Sequence, residues 1–146
     1  LPGPKADILL EKVHSSLTAI FERVPREENP DEKDAVARWT IEASDGSELD
    51  KAGITYMTIT EFENDPELAH GYGREIRIEC TLKGFDGPAE AFVLRTSDLT
   101  DELRWSFVET NYGWSPELVN DRAEDSADPH IETLVELLKR AKKCIV

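Results

Sequence analysis

The amino-acid sequence predicts an α+β fold, in which an antiparallel five-stranded meander sheet carries an N-terminal and a C-terminal helix on one face. Three observations predict it. Apolar residues recur with helical spacing near both ends of the chain, five segments between them have the composition of strands, and the connections are short. The 146 residues suit one domain. We therefore expect a single domain over residues 1–146, with residues 1–4 as a flexible arm.

Two segments repeat apolar residues at steps of three and four, which is typical of a helix that buries one face. In the first segment these residues are Leu9, Leu10, Val13, Leu17, Ile20, Phe21 and Val24. In the second they are Ile131, Leu134, Val135, Leu138 and Ala141. Pro25 ends the first predicted helix, and the pair Asp128-Pro129 begins the second. A shorter helix is predicted after Ser115-Pro116.

The clearest strand signal is a hairpin over residues 74–95. Residues 76–82 alternate between apolar and polar side chains, which indicates a strand with one buried face. Residues 84–88 (GFDGP) have the composition of a turn, and residues 89–95 are predicted to return as the next strand.

Three further strands are predicted over residues 38–43, 54–62 and 103–108. In the second of these, Ile54, Tyr56 and Phe62 have one parity while Met57 and Ile59 have the other. That pattern indicates either a strand covered on both sides or a bulge within it. Residues 26–34 are predicted to be a charged loop, residues 44–47 a turn, and residues 48–52 carry no clear signal.

The order of these elements is similar to that of RWD-type interaction domains, in which helices lie on one face of a four-stranded meander. The tyrosine-proline signature of that family is missing from this sequence. The similarity concerns the order of elements and transfers no functional residue.

The composition is strongly acidic, with 31 Asp and Glu against 17 Lys and Arg and a net charge of −14. Such a surface repels phosphate groups, so we expect no direct nucleic-acid partner and no membrane binding. The charge indicates either a general aid to solubility or attraction of a basic protein partner. The two cysteines form no disulfide pattern, and no segment resembles a signal peptide or a membrane span, so an intracellular location in cytoplasm, nucleus or organelle matrix is expected.

No motif in the sequence predicts catalysis, a cofactor or a metal. His14, His70 and His130 lie in unrelated segments without zinc-ligand spacing. The acidic stretch of residues 121–132 lacks the glycine that a calcium loop has at its sixth position. Phosphate-binding glycine loops and nucleophile motifs are also missing from the sequence. The sequence does not decide whether the protein is an enzyme, but the missing motifs favour a non-catalytic role.

The candidate binding residues are aromatic and charged side chains in glycine-containing segments: His70, Tyr72, Arg74, Tyr112 and Trp114. Loop aromatics of this kind anchor protein partners or act as lids over a sheet edge.

The leading hypothesis is a non-catalytic protein-interaction domain, acting as an adaptor, an inhibitor or a subunit of a larger complex. The alternative is a small-molecule or lipid-binding protein, or an enzyme, with a pocket between sheet and helices. Tyr56, Trp105 and Phe107 would line that pocket, with His14 or Tyr112 as its polar group. A purely structural domain of a longer chain is a third possibility.

Overall fold

A computed structural model describes residues 4–62, 75–84, 88–96, 105–111 and 127–145, and the fold is reported for these ranges. Helices α1, α2 and α3 span Pro4–Arg23, Glu48–Lys51 and Ala127–Cys144. Strands β1 to β6 span Glu27–Glu28, Ala35–Glu42, Ile54–Phe62, Glu75–Leu82, Pro88–Thr96 and Trp105–Asn111. The chain order is α1, β1, β2, α2, β3, β4, β5, β6, α3.

The strands form one antiparallel sheet in which each strand pairs with its neighbours in the sequence, in the order β1-β2-β3-β4-β5-β6. The five longer strands, β2 to β6, confirm the predicted α+β meander with its N-terminal and C-terminal helices. The two-residue strand β1 is an addition at the edge, where the sequence predicted only a charged loop. Such a short signal carries no periodicity, so the sequence could not distinguish it from a loop.

The inner face of the sheet is built from rows of apolar residues that lie opposite one another across the strands. Trp39 pairs with Ile59, Ile59 with Ile78, and Ile78 with Phe92. All four are buried, and they form one hydrophobic cluster with the apolar residues of the three helices. Both long helices therefore pack on the same face of the sheet, because only that face supplies this cluster.

A bulge in β3 explains the mixed parity of its apolar residues. The register shifts between Ile54 and Tyr56, where β3 has one more residue than β4. As a result Ile54 is buried in the same cluster as Met57 and Ile59, while Tyr56 lies on the outer face and is 38% exposed. Of the two alternatives that the sequence left open, the bulge accounts for Ile54 and Tyr56, while Phe62 is buried on the outer face.

The short helix α2 was not predicted, because residues 48–52 show no apolar periodicity. Its signal is the cap: the Ser47 Oγ accepts a hydrogen bond from the Asp50 amide at 3.3 Å. Asp50 also accepts from the Gly46 amide at 2.9 Å and forms an ion pair with Lys83. The hydrogen bond from Lys83, followed by that from Gly46, lowers the pKa of Asp50. This corner fixes α2 to the end of β4.

Several predicted boundaries shift in the structure. Pro88 is the first residue of β5, opposite Thr81, rather than the end of the preceding turn. A proline is tolerated there because the first residue of a strand need not donate to the ladder. Strand β6 lies two to three residues further along the chain than predicted, over Trp105–Asn111. The predicted helix after Ser115-Pro116 lies outside the described residues.

Candidate functional site

The binding residues predicted from the sequence lie outside the described part of the chain. They are His70, Tyr72, Arg74, Tyr112 and Trp114. Their role as binding residues stays a prediction. The described residues instead present two surfaces with unusual chemistry, one on the outer face of the sheet and one along its β1–β2 edge.

On the outer face, Arg38 and Arg77 lie in the same cross-strand row, one on each side of Thr60. The Arg77 guanidinium stacks on the buried Phe62 ring, with its Cζ 4.4 Å from the ring centroid. The Arg38 Nε donates to the Thr60 Oγ1 at 3.2 Å. Thr60 is the register partner of both arginines, since it pairs with Arg38 on one side and Arg77 on the other.

Glu32 joins these two arginines through its carboxylate. Its Oε2 forms an ion pair with Arg38, and its Oε1 lies 3.5 Å from the Arg77 Nη1. Glu32 belongs to the loop between β1 and β2, in which Asn29 and Asp34 have the positive φ angles of 48° and 67°. The loop is held against the sheet by this bridge and by Pro30, which is buried. The predicted charged loop therefore has a defined structure, which its composition alone did not indicate.

The Arg77 guanidinium is surrounded by carboxylates, which disfavours binding of an external anion. Glu75 Oε2 and Glu79 Oε1 lie 3.6 and 3.8 Å from its nitrogens, in addition to Glu32. Burial raises the pKa of Glu79, and the neighbouring Glu32 charge acts in the same direction while Arg77 and Arg38 oppose it. Three carboxylates around two guanidiniums leave no positive charge to attract a ligand. This cluster is best explained as an attachment of the loop to the sheet.

The loop that Glu32 fixes carries exposed carboxylates along one edge of the sheet. We define the acidic edge as the exposed acids of β1, of the β1–β2 loop apart from the bridging Glu32, and of the end of β2 with the turn after it. It comprises Glu27, Glu28, Asp31, Asp34, Glu42 and Asp45. Two exposed basic residues lie among them, Lys33 and Arg26, and the Arg26 Nε is paired with Glu28 Oε1 at 2.9 Å. The acidic edge therefore holds a clear excess of negative charge.

The backbone of β2 is only partly paired at this edge. Strand β1 pairs with Arg38 and Ala37, and the Asn29 amide donates to the Val36 carbonyl at 3.1 Å. The N–H and C=O groups of even-numbered β2 residues therefore point toward β1. Those of odd-numbered residues point toward β3, as the hydrogen bond from the Ala43 amide to the Thr55 carbonyl shows. Among the described residues, β1 provides no ladder partner for Thr40 or Glu42, and both side chains are exposed. We call Thr40–Glu42 the open edge.

Polar groups also lie within the core, on the side that the helices cover. The Trp39 Nε1 and the His14 Nδ1 are buried, and neither atom has a hydrogen-bond partner among the described residues. Glu61 is 5% exposed and lies in the inner row with Ala37 and Ile76. Burial lowers the pKa of His130, in the first turns of α3. Tyr56 lies on the opposite face of the sheet, so it cannot line a pocket with His14, and the side chains of Trp105 and Phe107 are outside the described set.

Searches for similar proteins give no further guide. No protein-family model, no curated protein and no solved structure matches this chain. Within the described ranges, no three His, Cys, Asp or Glu side chains are placed to hold a metal ion. No helix in those ranges combines the length and the apolar character needed to cross a membrane.

Sequence reasoning missed the acidic edge for a physical reason. The individual acids of residues 27–34 were visible, but acids are frequent throughout this chain and a local run is weak evidence. What singles out this run is Glu32, because its pairing with Arg77 joins residues 45 positions apart in the sequence. The alternation of Arg38, Thr40 and Glu42 with apolar residues, like the alternation over residues 76–82, was an available sign of a polar outer face.

Proposed function

We propose that this chain is a non-catalytic acidic interaction domain that binds a basic protein partner through the acidic edge. The observation that carries the proposal is the concentration of exposed carboxylates on a loop whose backbone is fixed by the Glu32 bridge. Fixed charges lose less conformational entropy on binding than charges on a mobile segment, and they give the encounter a preferred orientation. An adaptor, an inhibitor of a basic enzyme and a subunit of a complex would all use such a surface.

Cellular context forms part of the same proposal. Cys80 and Cys144 form no disulfide with each other, and Cys80 is buried in the core. Cysteines that stay reduced are usual where the compartment is reducing, which supports an intracellular location. The net charge of −14 argues against nucleic acid or an anionic membrane as the partner.

Charge-neutral variants of the acidic edge test this function. The triple variant Glu27→Gln, Asp31→Asn and Asp34→Asn removes three exposed charges from the edge. The matched control removes three exposed charges from the helices: Glu11→Gln, Glu22→Gln and Glu136→Gln. Binding of a fluorescent lysine-rich peptide is measured by anisotropy for both variants between about 20 and 300 mM salt, a range that runs from weak to strong screening.

We expect the edge variant to bind much more weakly and with a smaller salt dependence, while the helix variant binds nearly as the parent does. Equal losses in the two triple variants would show that only the total charge matters, which contradicts a localised site. Affinity that does not change with salt would remove the electrostatic mechanism altogether.

A second candidate function is supported by the buried polar groups behind the sheet. The unpartnered Trp39 Nε1 and His14 Nδ1 are positions where a small polar ligand could supply the missing hydrogen bond. A thermal-shift screen of metabolites and fatty acids tests it, because a ligand that binds only the folded state raises Tm. The shift should disappear in a His14→Phe variant, and a screen without any shift would contradict this second function.

A further inference from the structure

The open edge of β2 provides backbone groups that another strand can pair with. Thr40 and Glu42 each present an N–H and a C=O away from β3, by the register that the Asn29–Val36 and Ala43–Thr55 hydrogen bonds define. Strand β1 cannot continue past this point. Extending its register places Pro25 opposite Thr40, and a proline has no N–H to donate.

Side chains around the open edge are acidic or amphipathic. Glu42 and Asp45 are exposed at the end of β2 and in the turn after it, and Glu27 is exposed as the first residue of β1. Tyr56 is the register partner of Glu42 on the outer face, and it is one of two large apolar side chains that stand out as exposed in the described residues. The exposed basic side chain of Arg26, beside β1, is paired with Glu28, and its Cζ lies 5.5 Å from the Trp39 ring centroid.

We propose that a basic segment of the partner protein adds to the sheet as an extended strand along Thr40–Glu42. Backbone hydrogen bonds to the open edge provide the pairing, Tyr56 packs against one apolar side chain of the segment, and its Lys or Arg side chains meet Glu27, Glu42 and Asp45. This inference rests on the proposed function and names the way in which the partner binds.

Charge favours a basic segment over a second copy of this chain. Pairing two copies through the open edge would bring Glu42 and Asp45 of one protomer close to the same acids of the other, and each protomer carries a net charge of −14. Like charges opposite one another across strands are destabilising. A lysine-bearing strand reverses the sign of each of these contacts.

The free protein offers a first test by amide hydrogen exchange. Thr40 and Glu42 amides should exchange rapidly, whereas the amides of Trp39 and Ile41, which point toward β3, should be protected. Slow exchange at Thr40 and Glu42 in the free protein would mean that the edge is already covered, and this would overturn the proposal.

A pair of synthetic peptides gives the decisive test. The first is an extended peptide of alternating Lys and Val, and the second has the same sequence with every backbone amide N-methylated, so that neither of its edges can pair. Both carry the same charge, but only the first can form a complete ladder. We expect the first peptide to protect the Thr40 and Glu42 amides and to bind about tenfold more tightly than the second, corresponding to one or two backbone hydrogen bonds.

Variants of the chain separate the possible outcomes. Thr40→Pro removes an outward N–H without touching the ladder to β3, and it should weaken binding of the first peptide by about three- to tenfold while the amides of Trp39 and Ile41 stay protected. If that variant unfolds, the comparison of the two peptides on the parent chain still decides. Equal binding of both peptides overturns strand addition but leaves the acidic interaction domain in place. If neither peptide binds, both proposals are wrong.

Discussion

Replacing Glu32 with Gln removes the charge that joins the β1–β2 loop to the outer face, and keeps the shape of the side chain. The ion pairs with Arg38 and Arg77 lie at groups that are between a quarter and somewhat over a third exposed. Pairs of this kind contribute about 0.2–1 kcal/mol each, so the variant should lose about 0.5–2 kcal/mol of unfolding free energy. For a chain of this length, 1 kcal/mol corresponds to about 3 °C, which predicts a fall in Tm of about 2–6 °C.

Asp31→Asn is the matched control, because Asp31 is an exposed acid next to Glu32 and changes the net charge by the same amount. Its unfolding free energy should stay within about 0.5 kcal/mol of the parent. The assay is urea unfolding at pH 7, repeated at 1 M salt, where the Glu32→Gln effect should shrink. If the two substitutions had the same effect, or if Glu32→Gln raised Tm, the bridge would have no stabilising role and the fixed-loop argument for the acidic edge would be refuted.

Three further predictions concern the core and two titrating groups. Ile78→Ala, at a fully buried position of the central sheet, should lower the free energy of unfolding by about 2–5 kcal/mol in urea unfolding. Ile8→Ala, at a position 59% exposed, should lower it by less than about 0.5 kcal/mol. Similar losses in the two variants would contradict the assigned core. Burial lowers the pKa of His130 in the folded state, so the unfolded chain takes up the proton more readily. The parent should therefore lose stability relative to His130→Phe as pH falls below 6.5, by at most about 1.4 kcal/mol per pH unit. Parallel stability curves from pH 5 to 8 would show that the site does not titrate this way. Because burial raises the pKa of Glu79, Glu79→Gln should be the more stable protein at pH 7, with the gap closing as pH falls toward 4.5, and a gap independent of pH would exclude the burial cost.

Periodicity predicted the fold well because the sheet has one buried face and every strand pairs with its neighbour in the sequence. The alternation of Ile76, Ile78 and Cys80 identified the central strand, and all three side chains are buried in the core. The mixed parity in β3 left a bulge as one of two interpretations, since a single extra residue must change which side chains face inward. These features are local, so they can be derived from a short window of sequence.

The described site could not be predicted in the same way, because it depends on contacts between distant segments. The Glu32–Arg77 contact requires knowledge of the sheet register and of the loop path together. The open edge of β2 exists because β1 is only two residues long and Pro25, just before it, cannot extend it. No periodic pattern in the sequence marks that boundary. The aromatic residues in glycine-containing segments were the candidate binding residues in the sequence, but their positions do not indicate which charged side chains contact one another in the fold.

The first and last helices of the chain meet each other, with the Lys5 Nζ 2.5 Å from the Glu132 Oε1, whereas every strand pairs with the next one along. Strand pairing can thus proceed step by step while the ribosome is still extending the chain. The apolar inner face of the sheet, by contrast, lacks the cover of α3 until residues 127–145 have been synthesised. We expect a nascent chain stalled before Ala127 to bind chaperones that recognise exposed apolar surface and to be cleaved rapidly by protease, and release of the full chain to end both.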